Sequence, residues 1–257
     1  MMIDEAGKAA ASVRFAEAEL GELNRQLESQ TPQEILQWAI AEFSPDLGLA
    51  CSFGGISGMA LLDMTMKISR DVEVFYLDTD FLFQEAYALR DRATALYGFQ
   101  PVGYKSLLTP DQQEAQYGPA LWSRDPDLCC QLRKVEPNHR ALAGKQAWIA
   151  GLRRDQSSTR QTVRILDWDT QFNLWKVNPL ANWTEQQLWN YLINNKVPYN
   201  PLHDRGYPSI GCTYCTKAVA PGDDPRSGRW QGFDKDECGI NVDLTDQVQS
   251  TVASQPS

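Results

Sequence analysis

Residues 47–69 read LGLACSFGGISGMALLDMTMKIS, and their texture changes twice. A short apolar run from Leu47 to Phe53 is broken by Gly54 and Gly55, after which apolar residues recur at helical spacing. This predicts a strand, a glycine turn and a helix, the first half of a parallel βα unit. Working outward, VEVFYLD (72–78) is a second strand and TDFLFQEAYALRDRATALYG (79–98) a helix. QPVGYKSL (100–107) and KQAWIAGL (145–152) are further strands, separated by helical sequence that contains Cys129 and Cys130. The alternation predicts an α/β fold, a doubly wound and mostly parallel sheet. Such sheets bind ligands beyond the carboxyl ends of their strands. The loops after Phe53 and after Leu77 both lie at such ends.

Upstream, VRFAEAELGELNRQLESQ (13–30) is helical, and TPQEILQWAIAEF (31–43) opens a second helix with Thr31 as N-cap, Pro32 at its first position and Glu34 completing a capping box. Downstream, TEQQLWNYLINNKVP (184–198) is a helix capped by Thr184 and Gln187. The rest is rich in Pro, Gly and charge, and the tail DLTDQVQSTVASQPS (243–257) has too few apolar residues to pack and is expected to be mobile. The expected organisation is N-terminal helices over 1–45, a nucleotide-binding α/β domain over 46–220 and a C-terminal segment over 221–257.

The 257 residues carry a net charge of -9, which argues against a broad nucleic-acid surface but permits a local basic pocket for a small anion. No apolar run approaches the roughly 20 residues that span a bilayer, and the acidic opening MMIDEAGKAAASVRF does not read as a secretory signal. A cytoplasmic, reducing setting follows, where paired cysteines point to metal or redox chemistry rather than to disulfides. Nothing in the sequence fixes oligomeric state, which leaves a homo-oligomer open.

Four of the six cysteines form two pairs, the adjacent Cys129 and Cys130 and the C-x2-C pair Cys212 and Cys215. Four thiols suit tetrahedral zinc or an iron–sulfur cluster. Adjacent helical residues project about 100° apart, awkward for one small ion, whereas each thiolate of a cluster takes a different iron; the spacing therefore favours [4Fe–4S]. Cys51 sits in an apolar strand and reads as core. Cys238, in polar sequence beside a glycine, reads as an exposed thiol suited to redox or nucleophilic work, against the plainer reading of a surface cysteine.

The loop SFGGISG (52–58) offers backbone N–H groups and a helix N-terminus to an anion, a weak signal alone. Arg153, Arg154 and Arg160 follow a strand, and Arg226 and Arg229 stand three apart; such sets face an oxyanion or form ion pairs. Lys134 falls on the helix face of Cys130. His139 and His203 match no metal spacing, and His203 reads as structural or as orienting a loop.

Taken together, SFGGISG, LDTDFLF, YGPALWSRDPDLCCQLRKVEP, GLRRDQSSTR, VNPLANWTEQQLWNYL, PYNPLHDRGYPSIGCTYCT, DPRSGRW and ECGIN resemble the assimilatory adenylyl-sulfate (APS) reductases, the iron–sulfur branch of the phosphoadenylyl-sulfate (PAPS) reductase family. The resemblance runs from about residue 30 to 241, and the C-x2-C pair about 80 residues after the vicinal pair is its most specific feature. It implies thioredoxin-dependent reduction of adenosine 5′-phosphosulfate to sulfite and AMP in sulfate assimilation. Cys238 would be the nucleophile and Cys129, Cys130, Cys212 and Cys215 the ligands of a [4Fe–4S] cluster. Ser52, Phe53, Gly54, Gly55, Leu77, Asp78, Lys134, Gly151, Arg160, Arg226 and Arg229 would bind substrate. Three positions depart from the family pattern. An acid is common where Ser57 or Gly58 stands, proline where Tyr214 stands, and histidine where Asn241 ends the nucleophile motif. The alternatives are a PAPS or dual-substrate reductase, an ATP-pyrophosphatase-type adenylyltransferase, whose loop would carry the missing acid, and a non-catalytic iron–sulfur module, which leaves Cys238 and the arginines unexplained.

Overall fold

The computed structural model describes residues 15–241; the expected start of the first helix at Val13 and Arg14, and the tail from 243 onward, lie outside the described residues. Six strands form one sheet in the order β3-β2-β1-β4-β6-β5, where β1 is Leu47–Ala50, β2 Glu73–Asp78, β3 Val102–Lys105, β4 Ala147–Ile149, β5 Leu166–Asp169 and β6 Leu174–Val177. All neighbouring pairs are parallel except β5 and β6, an antiparallel edge hairpin. That hairpin is absent from the sequence reading, because LDWD and LWKV alternate too briefly to stand out. The chain runs outward from β1 through β2 to β3, then crosses back to β4 on the other side of β1. The order of strands therefore reverses between β1 and β4, where doubly wound sheets open a ligand crevice.

Helices α1 (Glu17–Leu27) and α2 (Pro32–Phe43) pack on the core through Leu20, Leu27, Ile35, Leu36, Ala39 and Phe43. The predicted box at Thr31 is present: its Oγ accepts from the Glu34 N–H at 3.3 Å, and the Glu34 carboxylate accepts from the Thr31 N–H at 2.7 Å. The predicted box at Thr184 likewise caps the helix Glu185–Asn194. Helix α3 (Ile56–Ile68) is buried for most of its length, and its buried Asp63 is satisfied by Lys67 at 2.7 Å, Tyr97 at 2.9 Å and Tyr191 at 2.6 Å. The helix after β2 starts at Gln84, not at Thr79 as its sequence suggests. Side chains of Asp78 and Thr79 accept from the N–H groups of Asp80 and Phe81, and Asp80 takes a left-handed φ of 59°, so the chain turns before it coils. The helical sequence with the vicinal cysteines divides into Pro126–Cys130, a π-turn over Gln131–Val135 and Glu136–Leu142. Among the described residues no helix is long and apolar enough to cross a membrane.

Candidate active site

A cavity of about 340 Å³ opens at the carboxyl ends of β1, β2 and β4, within the range of small-molecule sites. One wall is the glycine loop, from which Ser52, Gly55, Ser57 and Gly58 face it. Phe53 does not. Its ring is fully buried, meets Tyr76 edge-on at 5.8 Å, and its carbonyl accepts from Asn200 at 3.1 Å; its left-handed φ of 54° turns the side chain down into the core. Gly54 also lies behind the cavity, its carbonyl accepting from His203 Nε2 at 3.0 Å, so His203 orients this loop. Burial holds the His203 pKa below its ordinary value despite that bond. Gly151, at the end of β4, presses on the same loop: a Cβ there would lie 2.9 Å from that of Ser57. Leu77 lines the cavity, whereas Asp78 is turned away and accepts from Tyr87 at 2.6 Å with Lys105 at 3.5 Å.

Beside the cavity, four thiols gather. Cys129, Cys130 and Cys212 are buried and Cys215 half-buried. Burial pushes the Cys129 thiol up to about 12, with Cys130, Cys212 and Cys215 adding to it; burial and Cys212 raise Cys215 to about 11. Burial also raises Cys130, against the pull of Lys134. Among the described residues no three or more His, Cys, Asp or Glu side chains are arranged to hold a single metal ion. Lys134 sits amid the thiols. Burial works against its charge, but Cys212, Cys238 and Cys130 outweigh that and hold it above its ordinary value. The expected nearness of Lys134 to Cys130 thus survives the π-turn between them. An aromatic stack joins the two cysteine-bearing segments: Trp122 and Tyr214 lie 3.9 Å apart at 12°. Trp122 belongs to the segment leading to Cys129, and Tyr214 lies between Cys212 and Cys215.

The opposite wall carries the cations. Arg229 donates to the Cys215 carbonyl at 3.3 Å and to Ser209 at 3.1 Å, and packs over the buried Trp230 ring at 4.4 Å. Lys134, Arg226 and Lys235 also lie within 6 Å of that ring, at 5.9, 5.9 and 5.4 Å. Like charges this close repel unless shared anions or π-faces offset them. Glu237 provides the anion, pairing with Arg160 at 2.7 Å and Arg226 at 3.5 Å. Cys238, next in sequence, is half-buried and lines the cavity, not exposed as its polar neighbours suggest. Burial opposes its ionisation, but Lys134, the Ile240 N–H and Arg229 prevail over burial and Glu237, and the thiol lies below its ordinary value.

The structure therefore brings Ser52, Gly55, Leu77, Lys134, Gly151, Arg160, Arg226, Arg229, Cys212 and Cys238 to one cavity. Phe53, Gly54 and Asp78 stand behind it. Arg154 leaves the anion set altogether, held by Glu28 at 2.5 Å. Arg153 reaches the cavity but is committed to Asp155 at 2.8 Å and Ser57 at 2.7 Å. Sequence reasoning did not find Trp230, Glu237, Asn138 or Trp148. The last two line the cavity with buried donors, Asn138 Nδ2 and Trp148 Nε1, that have no protein partner. Glu237 alone carried a readable signal, an acid beside the lone thiol in a chain with clustered arginines. Asn241 also lines the cavity, its Oδ1 buried without a partner.

A family model described as the phosphoadenosine phosphosulfate reductase domain matches residues 47–218. An adenosine 5′-phosphosulfate reductase of Lysinibacillus sphaericus is 48% identical over 81% of this chain and 89% of its own. A phosphoadenosine 5′-phosphosulfate reductase of Gloeobacter violaceus is 47% identical over 87% and 93%. The crystal structure of a phosphoadenylyl-sulfate (PAPS) reductase from Candida auris in complex with phosphate superposes with a TM-score of 0.70 at 32% identity, covering 80% of this chain and 98% of that one.

Proposed function

The chain belongs to the phosphoadenosine phosphosulfate reductase family, and from that premise we propose that it reduces adenosine 5′-phosphosulfate to sulfite and AMP. The observation that carries the proposal is Cys238 in one cavity with the glycine loop and with Lys134, Arg160, Arg226 and Arg229. Relatives named for APS reduction at 42–48% identity favour that substrate.

In this reading the nucleotide lies at the carboxyl ends of β1 and β2, its ribose phosphate toward the arginines. The Cys238 thiolate attacks the sulfur, forming an S–S bond as the bond from sulfur to the phosphate oxygen breaks and AMP leaves with the electron pair. Lys134 and the arginines stabilise the charge that develops on the departing phosphate. One thiolate of reduced thioredoxin then attacks Cys238 Sγ, expelling sulfite and forming a mixed disulfide, which the second thiol resolves. The dithiol is oxidised to a disulfide while sulfate sulfur is reduced to sulfite. The polar segment 221–241, with Gly239 in a left-handed φ of 82°, is suited to carry Cys238 between the two partners.

The donor set fits a [4Fe–4S] cluster. Four thiols from two segments are gathered beside a lysine that opposes their charge, and a cluster does not require them to meet at one ion. Cys129, Cys130, Cys212 and Cys215 would hold it; bound, it supplies a fixed electrostatic neighbour to Lys134. The domain division at 45 and 220, and action in a reducing cytoplasm, belong to the same reading.

Sulfite release from APS and from PAPS with reduced thioredoxin tests the substrate. Faster turnover of APS supports the proposal. Faster turnover of PAPS supports the second reading, favoured by the Gloeobacter relative. Acid-labile sulfide with about four irons per chain supports the cluster; one zinc and no sulfide overturns it.

A further inference from the structure

Glu237 occupies the cations that an incoming anion needs. Its carboxylate accepts from both Nε and Nη2 of Arg160 at 2.7 Å, a two-point fork, and its Oε2 lies 3.5 Å from Arg226 Nη2. Glu237 and Arg160 side chains are each 12% exposed, so water screens the pair little. A planar carboxylate gripped this way presents the arginines with the two-oxygen edge that a phosphate or sulfonate would present. These two guanidiniums cannot turn the same edges to both anions at once.

The backbone around Glu237 has further anchors. Lys235 is ion-paired to Asp127 on the helix of the vicinal cysteines, and Arg226 donates to the Asp236 carbonyl. On the other side Ile240 packs against the cluster that contains Trp148, and a Cβ on Gly239 would already lie 3.2 Å from Val135. Cys238 thus keeps some hold on the body of the protein when the Glu237 side chain swings out. Exchange of one anion for another does not require the segment to leave.

We propose that Glu237 is a positioning residue that stands in for the substrate's anion. In the ligand-free chain it seats Cys238 by gripping Arg160 and Arg226, and it is displaced from them when the phosphosulfate binds. This rests on the functional reading above. Two consequences have opposite signs. Removing the charge frees the arginines, so substrate binds more tightly. Removing the anchor leaves Cys238 less firmly seated in the ligand-free chain from which each cycle starts, so turnover slows. A residue with only a structural role would weaken binding and slow turnover together.

The test is equilibrium binding of APS to Cys238→Ser and to Cys238→Ser/Glu237→Gln, with steady-state kinetics of Glu237→Gln on the Cys238 background. The dissociation constant is expected to fall about tenfold in the double variant, the equivalent of one charge-assisted contact. In Glu237→Gln, KM and kcat should both fall. Glu237→Asp, which keeps the charge on a shorter arm, should shift both in the same directions by less, and serves alone if the glutamine variant does not fold. An unchanged or larger dissociation constant, with wild type still releasing sulfite from APS, overturns this inference alone. If Cys238→Ser binds no APS and wild type releases no sulfite from it, the functional reading falls and this inference with it.

Discussion

Beneath the glycine loop, Phe53, Ile56, Met59 and Leu61 are buried in the main core, and β1 is paired on both sides. Across the cavity, residues 224–241 form no helix or strand beyond a single bridge at Arg229, and ion pairs are prominent among their anchors: Lys235 on Asp127, Glu237 on Arg160 and Arg226. The first wall is held by apolar burial and sheet pairing, the second in good part by ion pairs in which another anion can take a partner's place. On the proposed function, the loop wall is the fixed template for the nucleotide and the facing wall is the one that exchanges partners. The proposed reaction, which shows one thiol first to a substrate and then to a protein reductant, needs that asymmetry.

The comparison breaks first at the core. Leu61→Ala deletes a fully buried side chain behind the loop and is expected to cost about 2–5 kcal/mol of stability, read by urea unfolding at low and high salt with the same loss in both. A loss below about 1 kcal/mol, the level of a surface change, would mean that the loop wall is not anchored by the core.

On the ionic wall the expected effect is on chemistry rather than on folding. Arg226→Ala and Arg229→Ala each remove a cation from the cavity and should lower kcat/KM for APS by roughly 1.5–3 kcal/mol of transition-state stabilisation, with iron content unchanged. Unchanged kinetics in both variants would reduce these arginines to structural ion pairs.

The pH dependence sharpens the contrast between thiols. Lys134 and Arg229 hold the Cys238 pKa below its ordinary value against burial. Its thiolate is therefore present above that lowered pKa and is lost as pH falls through it. Alkylation of Cys238 by iodoacetamide should have its midpoint below that of a free cysteine peptide measured alongside, and Lys134→Ala should move the midpoint upward. A wild-type midpoint at or above that of the free peptide would show that the missing histidine at Asn241 is not compensated by these cations.

The smallest effect concerns the aromatic stack. Tyr214 stands where proline is common in the family, and its stack on Trp122 joins the two cysteine-bearing segments. Such a contact is worth about 0.5–1.5 kcal/mol, so Tyr214→Ala should release iron to a chelator severalfold faster. Equal rates would remove this role.

What the sequence disclosed was local in origin. The strand, glycine turn and helix at 47–69, and the capping boxes at Thr31 and Thr184, depend on neighbours within a few residues, and all are present. The β5–β6 hairpin and the start of the helix at Gln84 depend on sheet pairing and on turn hydrogen bonds, which periodicity does not register. The same division holds at the site. The thiols and arginines announce themselves by type, but the direction of a side chain is set by packing. Thus Phe53 and Asp78 turn away, Arg154 is spent on Glu28, and Trp148 and Asn138 enter from positions that look like core. Cys238 looked exposed because its neighbours are polar; those neighbours are paired with the body of the protein.

The central claim is that Cys238 takes the sulfonate. Wild-type protein mixed with APS in the absence of thioredoxin and examined by intact mass spectrometry should yield one AMP per chain and an adduct about 80 Da heavier, the mass a sulfonate adds to a nucleophilic thiol. Reduced thioredoxin should remove the adduct and release sulfite, while Cys238→Ser should show neither adduct nor turnover yet retain the brown colour of its cluster. Sulfite released from Cys238→Ser at the wild-type rate would contradict the account.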